Sequence, residues 1–153
     1  MRHIDRLMGE YSQSHQNHTN KMIHNVAVPA IYFVTFGLLY AIPVPDIMLK
    51  FDVTFAHVAI IPVLFYYFKL SGPVGAAMTI MSILVFLGIR WLEKEGISIW
   101  QFSLALFVVM WILQFVGHAI EGKKPSFFKD IQFLLVGPAW VVAGFLKKLN
   151  IPY

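Results

Sequence analysis

The sequence contains no cysteine and little charge. Without cysteine there can be no disulfide, no thiolate nucleophile and no thiolate metal site, so a bound metal would need histidine, carboxylate or amide ligands. Charged residues make up 13% of the 153 residues and hydrophobic residues 58%, which is too apolar for a soluble domain of this size. We therefore predict that residues 1–153 form a single membrane-embedded helical domain.

The sequence contains long apolar runs without formal charge. Four charge-free runs predict membrane-spanning helices, at residues 22–45, 53–68, 70–89 and 96–120. The second run would rise only about 24 Å, so it spans only if Lys69 snorkels or the bilayer thins. A last apolar segment, residues 131–146, is interrupted by Gly137-Pro138 and predicts a broken or re-entrant helix. The predicted fold class is all-α: a multi-pass membrane helical bundle of four spans plus this C-terminal helix, preceded by a polar N-terminal segment rich in histidine and asparagine.

The net charge of +4 does not indicate nucleic-acid binding, because the basic residues lie singly or in pairs at the ends of apolar runs. With four spans, nine of the twelve basic residues fall on one side: Arg2, Arg6, Lys21, Lys69, Lys123, Lys124, Lys129, Lys147 and Lys148. No cleavable signal peptide is apparent, because the first 22 residues are polar. These observations predict an integral protein of a bacterial inner membrane or the endoplasmic reticulum, with both termini cytoplasmic.

A polar stripe lies in the last apolar run. Gln114, His118 and Glu121 recur at i, i+4 and i+7, so they share one face of a helix that is otherwise apolar. Lipid offers such side chains no hydrogen-bond partner, so this face should contact protein, water or a ligand. A histidine that only makes helix-packing hydrogen bonds would satisfy the same requirement.

The N-terminal segment carries further histidines. His15 and His24 are nine residues apart, so they can face one centre only if the chain turns between them, and Asn17 to Asn20 is the expected turn. The predicted topology places both histidines on the same side of the membrane as His118.

Three histidines at one depth suggest a metal site. Neutral imidazole is a common ligand of zinc and iron, so we predict His15, His24 and His118 as the ligands. Glu121 is a possible fourth ligand or base. Because no tight motif is present, structural histidines remain an equal alternative.

Further polar side chains complete this prediction. Gln114, Asn17 and Asn20 would assist catalysis by orienting the rings. Of the other histidines, His18 is a spare candidate ligand and His3 is expected to be solvated. His57 is predicted to pack in the outer half of the second span.

Two motifs resemble a known family. The first reads Tyr11, His15, Asn17, Asn20, His24, Val28 and Pro29; the second reads Gln114, Phe115, Val116, Gly117, His118, Glu121, Lys123, Lys124 and Pro125. With Pro138 in the last apolar segment, they are similar to the 2-hydroxy fatty acid dioxygenase family of fatty-acid α-oxidation. Its members are small multi-pass membrane proteins, and the similarity extends over nearly the whole chain.

The resemblance implies a non-haem Fe²⁺ enzyme that uses O₂ to shorten a 2-hydroxy fatty acid by one carbon. It assigns iron binding to His15, His24 and His118, while Lys123 or Lys124 could steer the substrate carboxylate unless they are only positive-inside anchors. Two alternatives remain open from the residues themselves. One is a zinc-dependent membrane lipid hydrolase, and the other is a non-enzymatic protein with a structural histidine network.

Overall fold

The computed structural model describes residues 2–122 and 134–153, and every regular element within them is an α-helix. The helices are α1 His3–Gln13, α2 His18–Tyr40, α3 Asp46–Leu49, α4 Phe55–Leu70, α5 Gly72–Lys94, α6 Ile99–Glu121 and α7 Val136–Lys148. The all-α prediction is confirmed.

The polar N-terminal segment is itself helical. Ile4, Met8 and Tyr11 recur at i, i+4 and i+7, and this face of α1 is buried against the bundle. The expected turn between His15 and His24 exists but lies earlier than predicted, between Gln13 and His18. The reason is that the Asn17 side chain caps α2 by accepting hydrogen bonds from the backbone N–H groups of residues 19 and 20.

Among the described residues, three helices are long and apolar enough to cross a membrane: α2, α5 and α6, each of 23 residues. The remaining predicted span is α4, an apolar helix of 16 residues that falls below this length. The Ser71-Gly72-Pro73 turn joins it to α5, with the proline in the first turn of α5, where a missing N–H costs least. The structure is thus a helical bundle of membrane-protein character.

The most extensive helix pair is α2 with α6, and glycines allow the two to approach closely. A Cβ added at Gly37 would overlap the Ser103 hydroxyl, and one added at Gly117 would overlap the Asn20 side-chain oxygen. Because the start of α2 meets the end of α6, the pair is antiparallel. This pairing brings His24 of α2 and His118 of α6 to the same end of the bundle.

The C-terminal helix α7 packs against α1, α2 and α5. Gly137 and Pro138 lie in its first turn, so they mark the beginning of a continuous helix within the described residues rather than a break in its middle. Gly137 also leaves room for Tyr11, whose hydroxyl would be 3.1 Å from an added Cβ. As a result, α7 lies directly over the end of α1.

Candidate metal centre

Three histidines from separate segments of the chain lie close together. His15 lies in the turn after α1, His24 in the second turn of α2, and His118 in the last turn of α6. One nitrogen from each ring lies within 4.8 Å of the other two, and the residues are 3%, 1% and 7% exposed, respectively. The structure therefore brings together the three histidines that the sequence singled out.

Backbone carbonyls fix the tautomers of two rings. His15 Nδ1 lies 2.7 Å from the Tyr11 carbonyl oxygen, and His24 Nδ1 lies 3.0 Å from the Asn20 carbonyl oxygen. Because a carbonyl oxygen only accepts hydrogen bonds, each Nδ1 carries the proton and donates it. The lone pair is then on Nε2, which is the tautomer of a metal-ligating histidine whose other nitrogen is hydrogen-bonded.

The donor set fits a transition-metal ion. At a metal–nitrogen distance of about 2.1 Å, two nitrogens on one ion can be at most about 4.2 Å apart. In a tetrahedral site they are about 3.4 Å apart, so nitrogens within 4.8 Å of one another would each move inward by an ångström or less to bind one ion. Among the described residues, this group contains only histidines, and no carboxylate joins it.

The Glu121 carboxylate is hydrogen-bonded to the turn between α1 and α2 and to Asn20. Its Oε1 accepts a hydrogen bond from the Gln16 backbone N–H at 2.8 Å. Its Oε2 accepts from the Asn17 backbone N–H and from Asn20 Nδ2, each at 2.9 Å. The carboxylate thus connects the end of α6, which carries His118, to the turn between α1 and α2.

The three predicted helper residues occupy different positions. Asn17 is exposed and caps α2, whereas Asn20 is fully buried and donates to Glu121 while its carbonyl accepts from His24. Gln114 is buried one turn before His118 on α6. Of the three, Asn20 makes the direct link to a histidine ring.

An aromatic wall covers His15. The Tyr11 ring stacks on it with a centroid distance of 4.3 Å and an interplanar angle of 11°, and the Trp140 ring lies 5.6 Å away. Trp140 Nε1 donates a hydrogen bond to the Ser12 hydroxyl at 2.9 Å, which fixes α7 against α1. Sequence reasoning missed Trp140, because nothing in the spacing connects α7 with residues that precede it by more than 120 positions.

The remaining predicted residues lie elsewhere. His3 and His18 are exposed, and neither belongs to the histidine group. His57 is near the start of α4, where its Nδ1 accepts a hydrogen bond from the Thr54 backbone N–H at 3.0 Å and so caps the helix. Lys123 and Lys124 lie outside the described residues.

Comparison with known proteins finds a family that matches nearly the whole chain. The family model described as "2-hydroxy-palmitic acid dioxygenase Mpo1-like" matches residues 1–149. The chain is 29% identical over 147 residues to the 2-hydroxy-palmitic acid dioxygenase MPO1 of Saccharomyces cerevisiae, a match that covers 94% of this chain and 79% of that protein. No solved structure matches. The match over nearly the whole length shows that this chain belongs to the Mpo1-like family.

Proposed function

We propose that this protein is a non-haem Fe²⁺-dependent dioxygenase that shortens a 2-hydroxy fatty acid by one carbon with O₂. The observation that carries the proposal is the buried group of His15, His24 and His118 in a chain of the Mpo1-like family. The name of the yeast relative supplies the substrate class. Three imidazoles leave coordination positions open for substrate and O₂.

The overall reaction balances without a further reductant. A 2-hydroxy acid and O₂ together contain the atoms of the acid one carbon shorter, CO₂ and H₂O. Formate in place of CO₂ would require two additional reducing equivalents. Both reactions consume one O₂ per fatty acid shortened, so the dependence of turnover on an added reductant, and not the O₂ ratio, identifies the one-carbon product.

Each residue of the site would have its own role in the reaction. His15, His24 and His118 hold the ion, which supplies O₂ activation when bound. Tyr11 and Trp140 exclude water from the side of His15. The Asn20 carbonyl orients His24, and we propose that Glu121 and Gln114 support the arrangement from α6.

The location of the site follows from the charge distribution. We propose that α4 also crosses the membrane and that both termini are cytoplasmic, because nine of the twelve basic residues then lie on the cytoplasmic side. The histidines would be at the cytoplasmic end of α2 and α6, with the acyl chain of the substrate directed into the membrane. Lys123 or Lys124 would attract the carboxylate.

Anaerobic purification, metal quantification and an aerobic assay on 2-hydroxypalmitate test the proposal. We expect bound iron, O₂ uptake and a C15 acid identified by mass spectrometry. Because the described group contains three histidines and no carboxylate, zinc is the alternative metal, and a lipid hydrolase the alternative enzyme. Bound zinc without O₂ uptake would reject the oxygenase.

A further inference from the structure

An apolar groove of about 530 Å³ runs between α2 and α6. On α6 it is lined by Phe107, Trp111 and Phe115, which recur at i, i+4 and i+8. Their rings form a continuous row, with centroid distances of 5.9 Å and 6.0 Å. Eight residues of helix rise about 12 Å, so the row alone covers roughly half the thickness of a bilayer core.

The opposite wall comes from α2 and the residues that follow it. Thr35, Leu38 and Ile42 recur at i, i+3 and i+7 along this wall. The Thr35 hydroxyl donates to the Ile31 carbonyl at 2.7 Å, so this side chain has already satisfied its donor within its own helix. The named lining residues carry no ionisable group, so the groove suits a hydrocarbon rather than a polar ligand.

One lining residue of the groove, Phe115, is a helix neighbour of His118. Phe115 precedes His118 by three residues on α6, about 4.5 Å along the helix axis, and residues at this spacing are neighbours on the helix surface. From Phe115 the groove follows α6 away from His118 and α2 away from His24, because the two helices are antiparallel. Phe115 is 45% exposed, so the groove is accessible from the side of the helix pair that would face lipid.

We propose that this groove binds the acyl chain of the substrate, with the 2-hydroxy acid head at His15, His24 and His118. This inference rests on the proposed function and adds to it the residues that select chain length. A short chain would end beside Phe115 and Trp111. A C16 chain would extend along α2 towards Leu38, which is 14 residues or about 21 Å from His24.

Filling the far end tests chain-length selection. Leu38 is half-buried in the groove wall, and Leu38→Trp would place an indole in the path of a long chain. We expect kcat/KM for 2-hydroxypalmitate to fall about tenfold or more, and kcat/KM for 2-hydroxyoctanoate to change less than about twofold. The matched control is Leu87→Trp on α5, at a side chain that is 62% exposed and outside the groove. An equal loss for both substrates, or the same loss in the control, would overturn the proposal.

Photolabelling locates the chain without depending on turnover. The full-length protein in phosphatidylcholine vesicles is labelled with a 2-hydroxy fatty acid that carries a diazirine near its chain end. We expect labelled peptides from residues 35–42 or 107–115, competition by free 2-hydroxypalmitate, and reduced labelling in Leu38→Trp. Labelling elsewhere would overturn the proposal. Competition by added phospholipid alone would also overturn it, because it would show that the groove only binds membrane lipid.

The two proposals fail in different ways. If the groove is labelled and the acid competes, but no 2-hydroxy acid is shortened, the acyl-chain site stands and the dioxygenase function fails. If 2-hydroxypalmitate is shortened but the label maps elsewhere, the function stands and the acyl-chain site fails.

Discussion

Replacing Glu121 by Gln separates two roles for this carboxylate. If Glu121 positions the turn between α1 and α2, the substitution should weaken metal binding, because that turn carries His15 and leads into the helix that carries His24. If it is a base in the reaction, the substitution should leave metal binding unchanged and lower the rate. The hydrogen bonds of Glu121 favour the positioning role.

The magnitude follows from the number of hydrogen bonds lost. A glutamine oxygen can still accept from the Asn17 N–H and from Asn20, but its amide group would face the Gln16 N–H, where one donor opposes another. A hydrogen bond to a charged group contributes about 1.5–3 kcal/mol, and 1.4 kcal/mol is a tenfold change in affinity. The three bonds together exceed about a thousandfold by this measure, but removing a group that orients metal ligands typically costs about 10–100-fold in affinity, because only part of the lost free energy acts on the metal. We therefore expect metal affinity to fall about tenfold in Glu121→Gln, and about a hundredfold in Glu121→Ala, which loses all three hydrogen bonds.

Competition against a chelator measures the affinity, and the exposed residue Glu95 offers a control with the same change of charge. Glu95→Gln should bind metal as the wild type does. The positioning role would be refuted if Glu121→Gln and Glu121→Ala retained wild-type affinity for the metal. Loss of turnover with unchanged affinity would instead make Glu121 a participant in the reaction.

Three further substitutions test the surroundings of the site. Gly117→Ala should destabilise the protein by about 1–3 kcal/mol, because the new Cβ would overlap the side chain of Asn20. The control is Gly144→Ala, whose new Cβ would meet nothing within 4 Å, and equal unfolding transitions of the two variants would contradict the close packing. His57→Ala should lower the thermal midpoint while the metal content stays at the wild-type value, because this residue caps α4, packs on the Phe86 ring and does not belong to the histidine group; loss of metal would show that the site extends further. Trp140→Phe removes the hydrogen bond from α7 to α1, and we expect a loss of about 0.5–1.5 kcal/mol in urea unfolding; no change in the midpoint would show that this hydrogen bond contributes nothing.

The sequence predicted the helices and the histidine group for clear physical reasons. Charge-free runs long enough to cross a bilayer predict α2, α5 and α6, because a helix satisfies its own backbone hydrogen bonds and lipid offers no other partners. The polar stripe on α6 marked His118 as facing inward, and a turn between His15 and His24 was needed for both to reach it. Each of these predictions depended on local spacing and on side-chain polarity.

Other parts of the site depend on contacts that spacing does not encode. Trp140 approaches His15 only because α7 packs across α1, and no local pattern predicts that packing. Glu121 was predicted as a ligand or base because it shares a helix face with His118, but two of its three hydrogen bonds are made with backbone groups, which carry no residue-specific signal. The spacing of Ile4, Met8 and Tyr11 is typical of a helix, but most residues around them are polar, and the sequence was therefore interpreted only as a polar N-terminal segment.

The most direct test of the account is the iron content of anaerobically purified protein. We predict about one iron per chain in the wild type, because one group of three histidine donors is present among the described residues. Alanine at position 15, 24 or 118 should remove the iron, while His3→Ala, at an exposed position, should retain it. Wild-type protein without iron, or full iron content in any of the three alanine variants, would contradict the central claim.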